Sequence, residues 1–327
     1  MRLLVTGAAG FIGSTYVRLV QDEHEVVVLD KLTYAGRPEN LPEGTKLIEG
    51  AIEDPHVVRE AMQGVDAVVN FAAESHVDRS IDDQEAFART HVVGTGTLLD
   101  AVRELGIERY VQVSTDEVYG SIEDGSFTER SPLDPSSPYS ATKAGGDLLV
   151  SAHAHTHGVN ASICRGSNNY GPRQYPEKLI PLCVLNALHG DSLPVYGDGR
   201  QVRNWLYVED FCRGIHTVLA KGKAGEAYNV GGPDECENIE VVKRVIELVG
   251  ADESLIEYVT DRPGHDRRYS LSSEKLKSDL GWEAQVHFDE GLERTVNWYR
   301  DNEEWWGPIR SGEYREYYEQ HYGKALG

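Results

Sequence analysis

The residue types best able to do chemistry lie between Ser114 and Lys143. This segment opens with Ser114-Thr115-Asp116-Glu117-Val118-Tyr119-Gly120 and closes with Tyr139-Ser140-Ala141-Thr142-Lys143. Between the two blocks runs a Ser- and Pro-rich stretch, Ser126 to Pro138, that reads as irregular backbone. Tyr139 and Lys143 are four apart, so on a helix they share one face and their side-chain ends meet. A phenol titrating near about 10 is a poor base at neutral pH. A neighbouring ammonium stabilises the phenolate and brings that pKa toward the working range. A Tyr-x-x-x-Lys pair is common by chance, so its meaning depends on the elements that position it.

The first of those elements is an apolar run at residues 2–6, followed by Gly7-Ala8-Ala9-Gly10-Phe11-Ile12-Gly13 and a helix-like continuation to about Gln21. A second apolar run, Glu25 to Leu29, ends in Asp30. Strand, glycine turn, helix, strand and acid follow one another as in a dinucleotide-binding βαβ unit. The glycines let backbone approach a pyrophosphate, which then sits on the helix N-terminus. The spacing is G-x-x-G-x-x-G, and a tight turn with close helix packing is the competing reading. The acid at the strand end favours the cofactor. Asp30 is expected to accept from ribose hydroxyls and to repel a 2′-phosphate, which selects NAD over NADP.

Strand–helix alternation continues, with strands at 46–49, 66–71, 109–114 and 161–165 and helices at 55–63, 85–105 and 139–157. Repeated units of this kind imply an α/β fold with a doubly wound parallel Rossmann sheet. Ligands in such sheets bind at the carboxyl ends of the strands, where Phe71–His76 and Ser114–Gly120 fall. After Asn168-Asn169-Tyr170-Gly171-Pro172 the rhythm becomes irregular. We expect an NAD-binding domain over 1–166, with the chain returning to it near 200–230. Residues 167–327 are expected to form mainly a smaller α/β substrate-binding C-terminal domain. A last helix is expected over Glu290–Trp306, its Trp298, Tyr299, Trp305 and Trp306 forming core or a subunit contact.

The chain has 327 residues, 40% hydrophobic and 26% charged, enough for a sizeable core. The formal net charge of −22 argues against nucleic-acid or anionic-membrane partners, and any phosphate site must be locally positive. Loop cations (Arg173, Lys178, Arg203, Arg262, Arg267 and Arg268) either collect on one anionic ligand or are scattered surface ion pairs. No window reaches the length of a membrane span, and with a strand-like run at residues 2–6 no signal peptide is expected. Cys164, Cys183, Cys212 and Cys236 lie far apart, as expected for reduced thiols in a cytoplasmic protein. The triplet His153, His155, His157 reads as solvated helix surface, since only His153 and His157 share a face.

Longer blocks carry a resemblance. Gly7–Gly13, Ser114–Gly120 and Tyr139-x-x-x-Lys143 resemble the extended short-chain dehydrogenase/reductase superfamily. Leu29–Gly36, Phe71–Ile81, Asn168–Pro172, Pro176–Leu182 and Asp261–Tyr269 resemble its dTDP-glucose 4,6-dehydratase family, from residue 1 to about residue 306. The resemblance implies a homodimeric lyase that converts dTDP-glucose to a 4-keto-6-deoxy product, with NAD reduced and reoxidised in each turnover. It assigns Tyr139 and Lys143 to hydride and proton transfer at C4, and Thr115 to holding O4. It makes Glu117 the base at C5 and Asp116 the acid at C6, a division that requires their pKa values to be split. Neighbours on a strand face opposite ways, so both acids reach one sugar only if the strand has ended there.

The same resemblance implies cofactor contacts at Gly7, Gly10, Phe11, Ile12, Gly13, Asp30, Lys31, Ile52, Ala73, Thr90, Tyr139, Lys143 and Asn168. It implies substrate contacts at Ser75, Asn169, Lys178, Leu179, Pro194, Tyr196, Arg203, Asn238, Arg262 and His265, with Lys178 and Arg203 on the diphosphate. No metal is implied. Departures from the family pattern are Ala51 and Asn204 for Asp, His91 for Asn, Phe211 for His, and Gly166 for a larger residue. A UDP-glucose 4,6-dehydratase, a sugar-nucleotide epimerase and a non-catalytic NAD-binding sensor are the competing readings. Epimerases of the superfamily lack the Asp-Glu pair, and a sensor would typically lack Tyr-x-x-x-Lys.

Overall fold

The computed structural model describes residues 1–312 and Tyr318. Strands β1 (Arg2–Thr6), β2 (Glu25–Asp30), β3 (Lys46–Glu49), β4 (Ala67–Asn70), β5 (Arg109–Thr115) and β6 (Ala161–Gly166) open the chain's strand order. Strands β7 (Asn168–Tyr170), β8 (Leu193–Tyr196), β9 (Val202–Tyr207), β10 (Ala227–Val230), β11 (Asp234–Glu237) and β12 (Ile256–Val259) follow. The first six pair with β10 in a seven-stranded sheet of order β10-β6-β5-β4-β1-β2-β3, every pairing parallel. This is the expected doubly wound Rossmann arrangement.

Helices α1 (Phe11–Val20), α2 (Pro55–Ala61), α3 (Val77–Asp82), α4 (Gln84–Ala88), α5 (Thr95–Leu105) and α6 (Pro138–His157) connect the first strands. Helices α7 (Leu179–His189), α8 (Val208–Lys221), α9 (Asn238–Val249), α10 (Glu274–Leu280), α11 (Phe288–Asp301) and α12 (Glu303–Ser311) complete the set. Alternation along β1 divides its side chains between layers. Leu3 and Val5 join a cluster with α1, α8 and α10, whereas Leu4 packs with α2, α5 and α6 on the other face. A third cluster gathers α7, α9, α11 and α12 around Tyr170, Trp205 and Phe288. Beside it lie a three-stranded sheet, β11-β9-β7, and the two-stranded pair β12-β8.

Two helices expected to be continuous are broken. The 85–105 segment is α4, then a π-helical turn at Arg89–Gly94, then α5. Gly146 explains the accommodation, because a Cβ there would lie 2.7 Å from the His91 carbonyl oxygen, so the widened turn and α6 are in backbone contact. The last expected helix is divided at Asn302, whose φ of −127° and ψ of 47° are not helical. Its aromatic residues are core: Tyr299, Trp305 and Trp306 are buried, and the Trp305 indole N–H donates to Asn40 at 2.7 Å.

Helix α6 begins where the irregular stretch ends. Ser137 accepts from the Ser140 N–H, Ser140 accepts from the Ser137 N–H, and Pro138 occupies the first turn, so helical backbone is fixed one residue before Tyr139. Gly158, with φ of 68°, closes the helix.

Candidate active site

The site is assembled at the carboxyl ends of β1, β2, β4, β5 and β6. Gly7 follows β1 with φ of 64°, and a Cβ on it would sit 2.6 Å from the Cα of Ala72. A Cβ on Gly13 would lie 2.5 Å from the Gly7 carbonyl oxygen. Backbone therefore fills these positions, leaving a hollow in front of α1. Gly10 caps that helix without a side-chain hydrogen bond, so its first N–H groups are left for a ligand. Across the hollow, Asp30 is buried and accepts from the N–H groups of Ala9 and Leu32, both at 2.8 Å. Burial raises its pKa and those backbone bonds oppose the rise.

A cavity of about 300 Å³ runs from this hollow along the strand ends. It is lined by every expected cofactor residue (Gly7, Gly10, Phe11, Ile12, Gly13, Asp30, Lys31, Ile52, Ala73, Thr90, Tyr139, Lys143 and Asn168). Thr115, Asp116 and Glu117 line the same cavity, as do Ser75, Asn169 and Lys178.

Strand β5 ends at Thr115, and Asp116–Tyr119 form one 3-10 turn. The alternation of a strand no longer applies there, so both acids can line one cavity. The Thr115 hydroxyl ties the turn together, donating to Asp116 at 3.2 Å and accepting from the Glu117 N–H at 3.2 Å. Gly120 then turns the chain with φ of 81° against the Asp134 carbonyl. Desolvation, reinforced by Glu117, pushes the Asp116 carboxyl up to about 8. Burial raises Glu117 too, but Arg262, Arg203 and Lys178 counter it in that order. One acid is held protonated at neutrality and the other is surrounded by cations.

Tyr139 departs from what its spacing implies. Its phenol is raised, first by burial and then by the charge of Glu117, with a Thr115 hydrogen bond pulling the other way. The Lys143 ammonium donates to the Val113 carbonyl at 2.7 Å, and burial lowers it to about 8. His91 packs edge-on against Tyr139, centroids 5.7 Å apart, and its Nδ1 lies 2.8 Å from the Thr142 hydroxyl. Burial and Lys143 hold that ring neutral.

The remaining expected substrate residues stand outside the cavity. Tyr196 and Arg262 line a second cavity of about 670 Å³. Both bind Asp78, the Tyr196 hydroxyl at 3.0 Å and the Arg262 guanidinium at 3.0 Å. His265 meets the Tyr196 ring edge-on at 6.0 Å, and its Nδ1 lies 2.6 Å from Asp261. Arg203 is buried, stacked on Tyr269 at 4.3 Å, and donates to the Val202 and Asp266 carbonyls. Leu179 opens α7 just after Lys178, Pro194 lies in β8, and Asn238 opens α9; none of the three lines either cavity. The cations expected in loops therefore divide: Lys178, Arg262 and Arg203, which lies in strand β9 and not in a loop, act on Glu117, whereas Arg267 pairs with Asp198 and Arg268 with Glu235. Asp78 is the functional neighbour that sequence reasoning missed. It lies inside the Phe71–Ile81 block, but nothing in the order of residues reveals that Tyr196 and Arg262 converge on it.

The GDP-mannose 4,6 dehydratase family profile matches residues 4–295. The chain belongs to this family. Low-salt glycan biosynthesis protein Agl12 of Haloferax volcanii is 50% identical over 311 residues, spanning 93% of this chain and 100% of that protein. The crystal structure of DesIV, a dTDP-glucose 4,6-dehydratase from Streptomyces venezuelae with NAD bound, superposes with a TM-score of 0.92 at 51% identity. That match covers 94% of this chain and 100% of DesIV. UDP-glucose 4-epimerase of Thermus thermophilus, complexed with NAD, reaches a TM-score of 0.88 at 32% identity, covering 92% of this chain and 100% of that one.

Within the family frame the departures acquire physical partners. A Cβ on Gly166 would lie 2.5 Å from the Phe211 ring, and both residues line the cavity. The missing side chain and the enlarged one occupy the same space. Asn204 donates to the Gly232 and Asp234 carbonyls and accepts from the Gly232 N–H, a set that a carboxylate could not complete. Ala51 sits beside the cavity residue Ile52 and offers no polar side chain. Gly166→Ser alone is expected to destabilise the protein by about 1–3 kcal/mol through overpacking. Adding Phe211→His should recover at least half of that loss. Urea denaturation of the single and double variants measures the coupling, and additivity of the two changes would show that they are independent.

Proposed function

We propose that this protein is a dTDP-glucose 4,6-dehydratase that works with NAD. The carrying observation is the Asp116–Glu117 pair, presented by one turn to the cavity that holds Tyr139, with Asp116 raised to about 8 and Glu117 faced by three cations. The residues fit the cofactor. The hollow in front of α1, kept open by the close backbone approaches at Gly7 and Gly13, suits a pyrophosphate; the open end of α1 supplies N–H donors, and Asp30 supplies acceptors for a ribose. Phe11, Ile12, Lys31, Ile52, Ala73, Thr90 and Asn168 complete the enclosure. Bound NAD supplies a reversible store for the hydride that leaves C4 and arrives at C6.

Tyr139 takes the O4 proton, and Thr115 holds O4 in line. Ionising Tyr139 calls for positive charge beside it, and Lys143, which lines the same cavity, keeps two N–H donors beyond the one given to Val113. With C4 a ketone, the C5 proton becomes acidic and Glu117 removes it. The electron pair forms the C5–C6 double bond, the C6–O bond breaks, and Asp116 gives its proton to the departing oxygen, releasing water. Hydride then enters at C6 and Glu117 returns a proton to C5, so no net oxidation occurs.

Lys178, Arg203 and Arg262 are assigned to the diphosphate, with Ser75, Asn169, Leu179, Pro194, Tyr196, Asn238 and His265 around the sugar nucleotide. The division into a cofactor domain over 1–166 and a substrate domain over 167–327, with α8 and β10 returning to the sheet, follows the same reading. A cytoplasmic location is supported by four buried, unpaired cysteines. No helix among the described residues is long and apolar enough to cross a membrane. A homodimer is supported by Val93 and Leu148, 54% and 61% exposed on neighbouring elements.

The test is incubation of purified protein with dTDP-glucose, without added NAD, followed by the alkaline absorbance of a 4-keto sugar. Conversion is expected; faster conversion of UDP-glucose would reassign the nucleotide, and inertness toward both with NAD supplied would end the dehydratase reading. Glu117→Gln is expected to retain oxidation at C4 and to lose exchange of the C5 proton with solvent deuterium, seen by NMR. Undiminished exchange would give the base to another residue. Because Asp116 must be protonated and Lys143 charged, and both titrate near 8, kcat should fall as pH rises through that value. A pH–rate profile that stays flat to pH 9 would remove Asp116 as the acid.

A further inference from the structure

We infer that Glu23, His24 and His216 form a binding site for one divalent transition-metal ion of the zinc class, separate from both cavities. One ligand atom from each of the three residues lies within 4.8 Å of the other two. None of them lines the cofactor cavity or its neighbour. The imidazoles of His24 and His216 have centroids 5.4 Å apart at an interplanar angle of 42°, a spacing that lets two ring nitrogens address one ion.

The orientation of each ring is fixed from behind. His216 projects from α8, and its Nδ1 lies 3.3 Å from the hydroxyl of Tyr16, itself fully buried on α1. This contact occupies one nitrogen and leaves Nε2 for an ion, the role that an outer hydrogen bond plays at metal-bound histidines. His24 Nδ1 lies 3.5 Å from the amino group of Met1. Its Nε2 is buried and has no hydrogen-bond partner, so it is a polar atom left without a ligand. Glu23 is exposed and makes no ion pair among the described residues, so its carboxylate is available.

The backbone prepares the position as well. Glu23 and His24 both donate their N–H groups to the Val20 carbonyl, at 3.1 and 3.0 Å, which fixes the turn that carries them. That turn caps the carboxyl end of α1, where the helix dipole favours a cation. Two imidazoles and one carboxylate suit zinc or its neighbours, with water in the fourth position. Calcium and magnesium need more oxygen ligands than one carboxylate offers. An ion here joins the α1–β2 turn to α8. It sits about 15 Å, the length of the ten-residue α1, from the helix end that opens on the cofactor hollow.

Zinc titration of the tag-free, chelator-treated full chain tests this, read as bound zinc per chain by dialysis and as the midpoint of thermal unfolding. One ion per chain is expected, with a midpoint rise of about 5 °C when zinc stands a hundredfold above its Kd. Cobalt should add the visible bands of a low-symmetry site. His24→Gln and His216→Gln should each abolish the response, while Glu23→Gln, an exposed change that spares folding, should weaken binding by about tenfold or more. His153→Gln/His157→Gln, which removes the other histidine pair, should leave the titration unchanged. Absence of saturable binding, or binding that persists in Glu23→Gln and His216→Gln and disappears in the His153/His157 variant, would overturn the assignment.

Discussion

Two carboxyl groups taken out of water side by side repel each other, and they persist together only when one keeps its proton and the other is surrounded by positive charge. Asp116 and Glu117 meet both conditions. Asp116 is almost fully buried and raised to about 8, and Glu117 is faced by Arg262, Arg203 and Lys178. In a chain of net charge −22 those three cations gather positive charge beside one carboxylate. They also supply what an anionic nucleotide sugar needs if it is to approach so acidic a surface.

That cluster of cations can be built only after the rest of the chain has folded against the sheet. Asp116 and Glu117 come from the end of β5, but Arg203 comes from β9, Lys178 from the start of α7, and Arg262 from the loop after β12. Strand β9 runs straight into α8, whose Phe211, Cys212 and Ile215 pack in one layer of the parallel sheet. Packing of that helix therefore fixes the direction in which β9 delivers Arg203. Asp78, on α3, holds Arg262 and Tyr196 from the opposite side. The acid pair is local in sequence, whereas its charge environment is entirely long-range.

That difference explains what was legible from residue order. The parallel sheet, the glycine turn with Asp30, and a helix carrying Tyr139 and Lys143 are consequences of neighbours a few residues apart, and all were readable. Residue order posed the strand-alternation problem at Thr115, and the 3-10 turn that follows the strand resolves it. The π-helical turn at Arg89–Gly94 was hidden because its cause, the absent side chain of Gly146 against the His91 carbonyl, lies some fifty residues away. Spacing also placed Tyr139 and Lys143 on one helix face, but spacing carries no information about desolvation. Burial, and after it the charge of Glu117, raises the phenol. The Gly166 and Phe211 departures were visible singly; that each answers the other required coordinates.

A fold shared with a UDP-glucose 4-epimerase at a TM-score of 0.88 cannot by itself select a reaction, so the selection rests on proton inventory. Hydride transfer at C4 needs one group that changes protonation, and Tyr139 is present for it. Elimination needs two more, a base for C5 and an acid for C6, in opposite states at the same pH. The three cations divide these states, and they are shared property. A diphosphate that engages Lys178, Arg203 and Arg262 draws positive potential away from Glu117, and a carboxylate that loses its cations binds a proton more tightly. On the proposed reading, the contacts that bind the nucleotide sugar thereby make Glu117 a stronger base at the moment a C5 proton is within its reach, and keep it a weak one while the site is waiting.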